Sequence, residues 1–164
     1  MVTEASEAEP RRHPGPPSIT LPAAIREAII AHAKAEEPNE ACGVIVGDRP
    51  AADGGRPLRF EPAGNEAASR YLYRLDARDL LRLTLETDDR DEVFWAIVHS
   101  HTHTPAVPSQ TDIRQANYPD ALYILVTLAE AEADSATGEP GVRAWRIQVG
   151  EAFEVDVRPE ATTA

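Results

Sequence analysis

Apolar positions along this chain follow two rhythms. Leu21, Ile25, Ala28, Ile29 and His32 recur at the spacing of one helix face, with Thr20 as the expected cap and Pro22 in the first turn. Glu36-Glu37-Pro38 should end that helix. Continuous apolar runs at 41–47, 93–98 and 121–128 read instead as buried strands. Gly43 and Gly47 in the first run predict close approach by a neighbouring chain segment. A turn rich in Pro, Asp and Gly over 48–55 and a short strand over 58–61 make a hairpin with the first run. Residues 62–71 read as a loop. Asp76 should cap a helix carrying Leu80, Leu81, Leu83 and Leu85, and Ser109 should begin a short helix over 110–117 that Pro119 closes. Residues 142–149 and 153–157 form a second hairpin around Gly150-Glu151, with Trp145, Ile147 and Val149 alternating against Arg146 and Gln148. The order α-β-β-α-β-α-β-β-β predicts an α/β (α+β) fold, a mixed sheet packed with helices.

Composition narrows this picture. The chain has 164 residues, enough for one domain with a core of its own. Residues 1–17 mix charges with four prolines between Pro10 and Pro17 and read as a disordered tail that includes His13. The domain is expected over 18–158 and a short tail over 159–164. With 28 acidic and 16 basic side chains the formal charge is −12, which disfavours nucleic acid and anionic membrane as partners. It suits a soluble enzyme, or a protein whose partner carries a basic patch. The acidic runs 86–92 and 130–139 read as solvated loops. The single cysteine, Cys42, excludes an internal disulfide and agrees with a reducing compartment. No apolar run approaches the ~18 residues of a membrane span, and no signal-like segment opens the chain, so a cytoplasmic protein is expected.

Candidate chemistry concentrates after the 93–98 strand. Three of the five histidines, His99, His101 and His103, fall there within five positions, and Asp112 follows His101 after ten intervening residues. If the strand continues, Val93, Trp95, Ile97, His99 and His101 share one face, the two imidazoles about 6–7 Å apart along it. Thr104-Pro105 should turn the chain away, leaving His103 nearby, either supporting the ligand residues from outside or facing substrate. Two imidazoles and a carboxylate are a plausible set for zinc with one position open; a histidine-rich surface loop is the competing reading. Asp112 also completes a capping-box pattern with Ser109, a role compatible with ligation because the helix dipole keeps it ionised. Cys42 allows a rival, a cysteine peptidase with a histidine base, against a core-packing role. His32 reads as a helix-face residue.

The pattern His99-x-His101, ten residues, Asp112, with Ser109 three before the aspartate, resembles the JAMM (MPN+) metallopeptidase motif. Glu40, at the start of Glu40-Ala41-Cys42-Gly43-Val44, stands where that family has an upstream glutamate, and the element order matches over most of 18–157. Thr102 departs from the proline that many members have after the second histidine, which shifts the subfamily and not the metal site. The resemblance implies the MPN (cytidine-deaminase-like) sandwich. It also implies one zinc ion per chain held by His99, His101 and Asp112, Glu40 as general base, and Ser109 as a donor to the oxyanion. The similarity is strongest to the bacterial branch that releases cysteine from a ubiquitin-like sulfur carrier with a Gly-Gly tail, and the 65–73 loop could flank the groove for that tail. An isopeptidase that removes such a modifier from lysine uses the same site. A metal-free scaffold module fits less well, because all five motif positions are present.

Overall fold

The computed structural model describes residues 15 and 17–160. Most of the expected N-terminal tail, with His13, and residues 161–164 lie outside them. Seven strands and three helices follow in the order β1 (Ser18–Leu21), α1 (Ala23–Glu36), β2 (Cys42–Gly47), β3 (Pro57–Ala63), α2 (Ala77–Asp89), β4 (Val93–His101), α3 (Gln110–Arg114), β5 (Leu122–Thr127), β6 (Gly141–Gln148) and β7 (Glu151–Pro159). The strands form one mixed sheet ordered β1-β7-β6-β5-β4-β2-β3. β4 and β5, and β1 and β7, run parallel, and the other neighbours are antiparallel.

Each face of the sheet has its own core. Ile25, Ile29, Ile30 and Ala33 of α1 pack on one face against Ile45, Ala96, Val98 and Ile124. Leu83 of α2 packs on the other against Val44, Ile97, Tyr123 and Trp145, with Ile113 of α3 beside them. The predicted hairpin β2–β3 is present. Its glycines are sterically required: a Cβ at Gly43 would come within 2.6 Å of Glu61 O, and one at Gly47 within 2.7 Å of the Trp95 side chain. No helix among the described residues is long and apolar enough to cross a membrane.

Several expectations need correction. Ser18–Leu21 is a strand paired with β7, and α1 starts after Pro22 with no side-chain cap, so Thr20 does not cap it. Four alternating residues are too short a signal to separate from the approach to a helix. The run 86–92 is not a loop: α2 extends through Asp89, and Glu92 receives both terminal nitrogens of Arg59 at 2.9 Å. α3 ends at Arg114, shorter than expected. Trp95 does not share a face with Ile97 and the histidines. Ile45 pairs with Ala96 but Val46 with Phe94, so Trp95 is the extra residue of a β-bulge and turns into the α1 core. Beyond the bulge the expected alternation holds, and β4 runs on through His101.

The second hairpin turns one residue earlier than expected, on Val149-Gly150, with φ of 53° and 72°. Two positive φ values suit the twist of a hairpin, but a β-branched residue is strained there. Val149 is 56% exposed, so little packing is lost on replacing it. Val149→Asn should stabilise the fold by about 1 kcal/mol, raising the melting temperature by about 2–4 °C in a thermal scan. No increase would mean that the turn is unstrained.

Candidate functional site

The end of β4 and the start of α3 bring three side chains together. His99 Nε2 and His101 Nε2 each lie 3.2 Å from Asp112 Oδ2. All three residues are buried, and their candidate ligand atoms lie within 4.8 Å of one another. The same-face placement follows from the two-residue period of the strand. Asp112 arrives through a complete capping box: Ser109 Oγ accepts from Asp112 N at 3.0 Å, and Ser109 N donates to Asp112 Oδ2 at 2.9 Å. Capping and clustering are therefore one arrangement.

The donor set suits a cation. His101 Nδ1 donates to Pro105 O at 2.7 Å, which leaves Nε2 as the lone-pair nitrogen of a neutral ring. That nitrogen faces a carboxylate oxygen, so two acceptors meet unless a proton or a metal ion lies between them. Burial opposes charge on Asp112, yet hydrogen bonds from His101, His99 and the Ser109 N–H hold its carboxyl ionised far below the usual range. Burial lowers the pKa of His99; for His101 the bonds to Asp112 and Pro105 outweigh burial and raise it.

β2 delivers Glu40 to the same place. Cys42 pairs with His99 in the β2–β4 ladder, and Ala41 is fastened to β4 twice: Ser100 N donates to Ala41 O at 2.9 Å, and Ala41 N to Ser100 Oγ at 2.8 Å. Glu40 N donates to Ser69 O at 2.7 Å, and Asn65 Nδ2 to Glu40 O at 3.0 Å. Glu40 is only 3% exposed, and burial pushes its pKa up to about 8, with His101 pulling the other way. Among the described residues, the buried side-chain atoms with no hydrogen-bond partner are Glu40 Oε2 and His99 Nδ1. Both belong to this cluster, and orphaned buried polar atoms are rare enough to mark a site.

The 65–73 loop borders the cluster. Beside the triad is a cavity of about 140 Å³ walled by Glu40, Arg70, Tyr71, His101, His103 and Ser109. His103 is exposed there, outside the strand. A larger cavity of about 450 Å³ includes Tyr73, Ile97 and Arg114 in its wall. Three contributors escaped the sequence reading. Tyr73 stacks on His99 with ring centroids 4.2 Å apart. Asn65 bonds Glu40 O and Leu72 O through its amide nitrogen and accepts from Ala67 N and Arg74 N. Ser100 holds Ala41; a serine between two same-face histidines has to point away from them, and that is the signal that could have found it.

Two other candidates are placed elsewhere. Cys42 is 1% exposed and its thiol donates to Gly64 O at 3.3 Å. Burial, with Asp79 and Glu36 adding, pushes its pKa up to about 12, so no thiolate nucleophile is available at neutral pH. His32 bonds Cys42 O at 3.0 Å and packs against Phe60, a structural contact.

Residues 22–148 match the family described as prokaryotic homologs of the JAB domain. A CysO-cysteine peptidase of Mycobacterium tuberculosis is 37% identical over 139 residues, which span 85% of this chain and 89% of that protein. A desampylase of Haloferax volcanii is 30% identical over 112 residues, 65% of this chain and 78% of that one. A solution structure of a Desulfitobacterium hafniense protein superposes with a TM-score of 0.71 at 27% identity, covering 87% of this chain and 93% of its own.

The position of Glu40 has a measurable effect on stability. It ionises near pH 8 in the fold against 4.5 in the open chain, so the folded state resists a charge that the unfolded chain accepts. The contribution of Glu40 to stability is therefore fully present below about pH 4.5 and is lost as pH rises towards 8. Glu40→Gln cannot ionise; in chelator-treated protein it should raise the melting temperature by roughly 5 °C or more near pH 8 and by almost nothing near pH 4. Identical scans at both pH values would show that the carboxyl is not strained by burial.

Proposed function

Because this chain belongs to the family of prokaryotic JAB-domain proteins, we propose that it is a cytoplasmic zinc peptidase acting in cysteine biosynthesis. It hydrolyses the amide bond after the C-terminal Gly-Gly tail of a ubiquitin-like sulfur carrier protein and releases cysteine. The observation that carries the reading is the buried His99-His101-Asp112 cluster beside a glutamate whose outer oxygen has no partner. The 37% identity to a CysO-cysteine peptidase over most of both chains supports the substrate class.

His99 and His101 through Nε2, and Asp112 through Oδ2, would hold the zinc, which when bound supplies a Lewis acid that polarises a carbonyl and acidifies water. Glu40 takes a proton from the attacking water as its oxygen adds to the scissile carbonyl carbon. When the C–N bond breaks, Glu40 returns that proton to the leaving amine. A carboxyl whose pKa is lifted towards neutrality is suited to both transfers. Ser109 Oγ accepts from Asp112 N, so its hydroxyl hydrogen is free to donate to the developing oxyanion. Tyr73 and Pro105 O keep the two imidazoles oriented, a role that outer partners of histidine ligands commonly play.

Similarity to an archaeal desampylase favours a second reading, removal of a ubiquitin-like modifier from lysine. The two readings separate on a pair of substrates: the carrier extended by one C-terminal cysteine, and the carrier linked to a lysine side chain. The first should be cleaved, with activity lost on chelation and reduced about 10²–10⁴-fold in Glu40→Gln. Cleavage of the second alone would refute cysteine release. Metal analysis should find zinc retained in Glu40→Gln and lost in His101→Ala, the division expected of a base and a ligand. In Ser109→Ala, kcat should fall by about 10²–10³ with KM little changed.

A further inference from the structure

The cavity of about 140 Å³ beside the triad is small, well below the ~300 Å³ at which sites for drug-sized ligands begin, so it holds one small residue and not a folded chain. Its walls include two donors that the reaction above leaves unused, Arg70 and His103. Both are exposed, and the Arg70 guanidinium makes no ion pair among the described residues. The Arg70 backbone is fixed where it matters: its carbonyl accepts from Thr102 Oγ1 at 3.4 Å, one residue past His101. A carboxylate that leaves water here needs a cation to meet it. A guanidinium does so with the planar fork that pairs two carboxylate oxygens at once.

We propose that this cavity receives the single residue that is released, and that Arg70, with His103 as a second hydrogen-bond donor, reads its free α-carboxylate. This rests on the peptidase reading above and selects between its two forms. A terminal cysteine presents a carboxylate next to the scissile amide. A lysine side chain does not, because its own carboxyl is tied up in a peptide bond farther along the chain. Arg70 is thus a specificity-determining residue for release of one C-terminal amino acid.

The test compares the carrier extended by cysteine with the same molecule ending in cysteine carboxamide. Wild-type protein should cleave the acid with a kcat/KM about 10- to 100-fold higher than the amide, with most of the difference in KM. Arg70→Met should collapse that ratio towards one, and Arg70→Lys should restore part of it. Calorimetric titration of the Glu40→Gln protein with the two molecules should rank them in the same order without turnover. Equal cleavage of acid and amide by the wild type overturns the proposal. An unchanged ratio in an Arg70→Met protein of normal zinc content and circular dichroism does so as well. If the wild type cleaves neither molecule, the peptidase reading fails first and this one falls with it.

Discussion

Antiparallel pairing of β2 with β4 is the constraint on which the site depends, since it joins segments almost sixty residues apart in the chain. It sets Cys42 against His99 and closes two further hydrogen bonds between Ala41 and Ser100. Glu40 is the next residue out, so its carboxyl has to arrive where the two imidazoles emerge. A one-residue slip would turn the histidines to the α1 side of the sheet and leave the glutamate without them. The bulge at Trp95 lies upstream of this contact. It puts a large ring into the α1 core while the alternation that carries Ile97, His99 and His101 continues undisturbed.

Much of the architecture could be read from sequence because the inner strands are long and apolar. The runs at 41–47, 93–98 and 121–128 could hardly be anything but buried strands, and the turn residues between them predicted the β2–β3 hairpin. What escaped was either short or non-local. β1 contributes four residues and gains its identity only from β7, at the other end of the chain. Phe94 and Trp95 are both large and apolar, so their pattern cannot say which of them leaves the face. Val149 is a poor residue for a positive φ, so the pattern points to a turn one residue later than the one that forms.

The candidate site divides in the same way. His99, His101, Ser109 and Asp112 lie within fourteen consecutive positions; spacing alone makes the two histidines and the aspartate a plausible set, while Ser109 reads as a cap and takes a further role only from the family resemblance. Glu40 has no local signal, and only resemblance to a family raises it; among the described residues it is nevertheless a buried acid with an unpartnered oxygen. Tyr73 and Asn65 bound a loop that reads as a connection or as a flank of the groove, with no signal for either side chain. Their importance comes from contacts with His99 and with the Glu40 backbone, and those exist only once the sheet has formed.

The two parts of the site are held by different pieces of the molecule. The cluster is local, built by one strand end, one turn and one capping box. The base hangs from the neighbouring strand, with its backbone gripped by Ser69 and Asn65 from a surface loop. That loop also carries Tyr73, so the segment that grips the Glu40 backbone is the one that lays a ring on His99. The position of the acid and the orientation of an imidazole are therefore set by one surface segment. A substitution far from the histidines, anywhere in that segment, can thus reach both strands of the site at once.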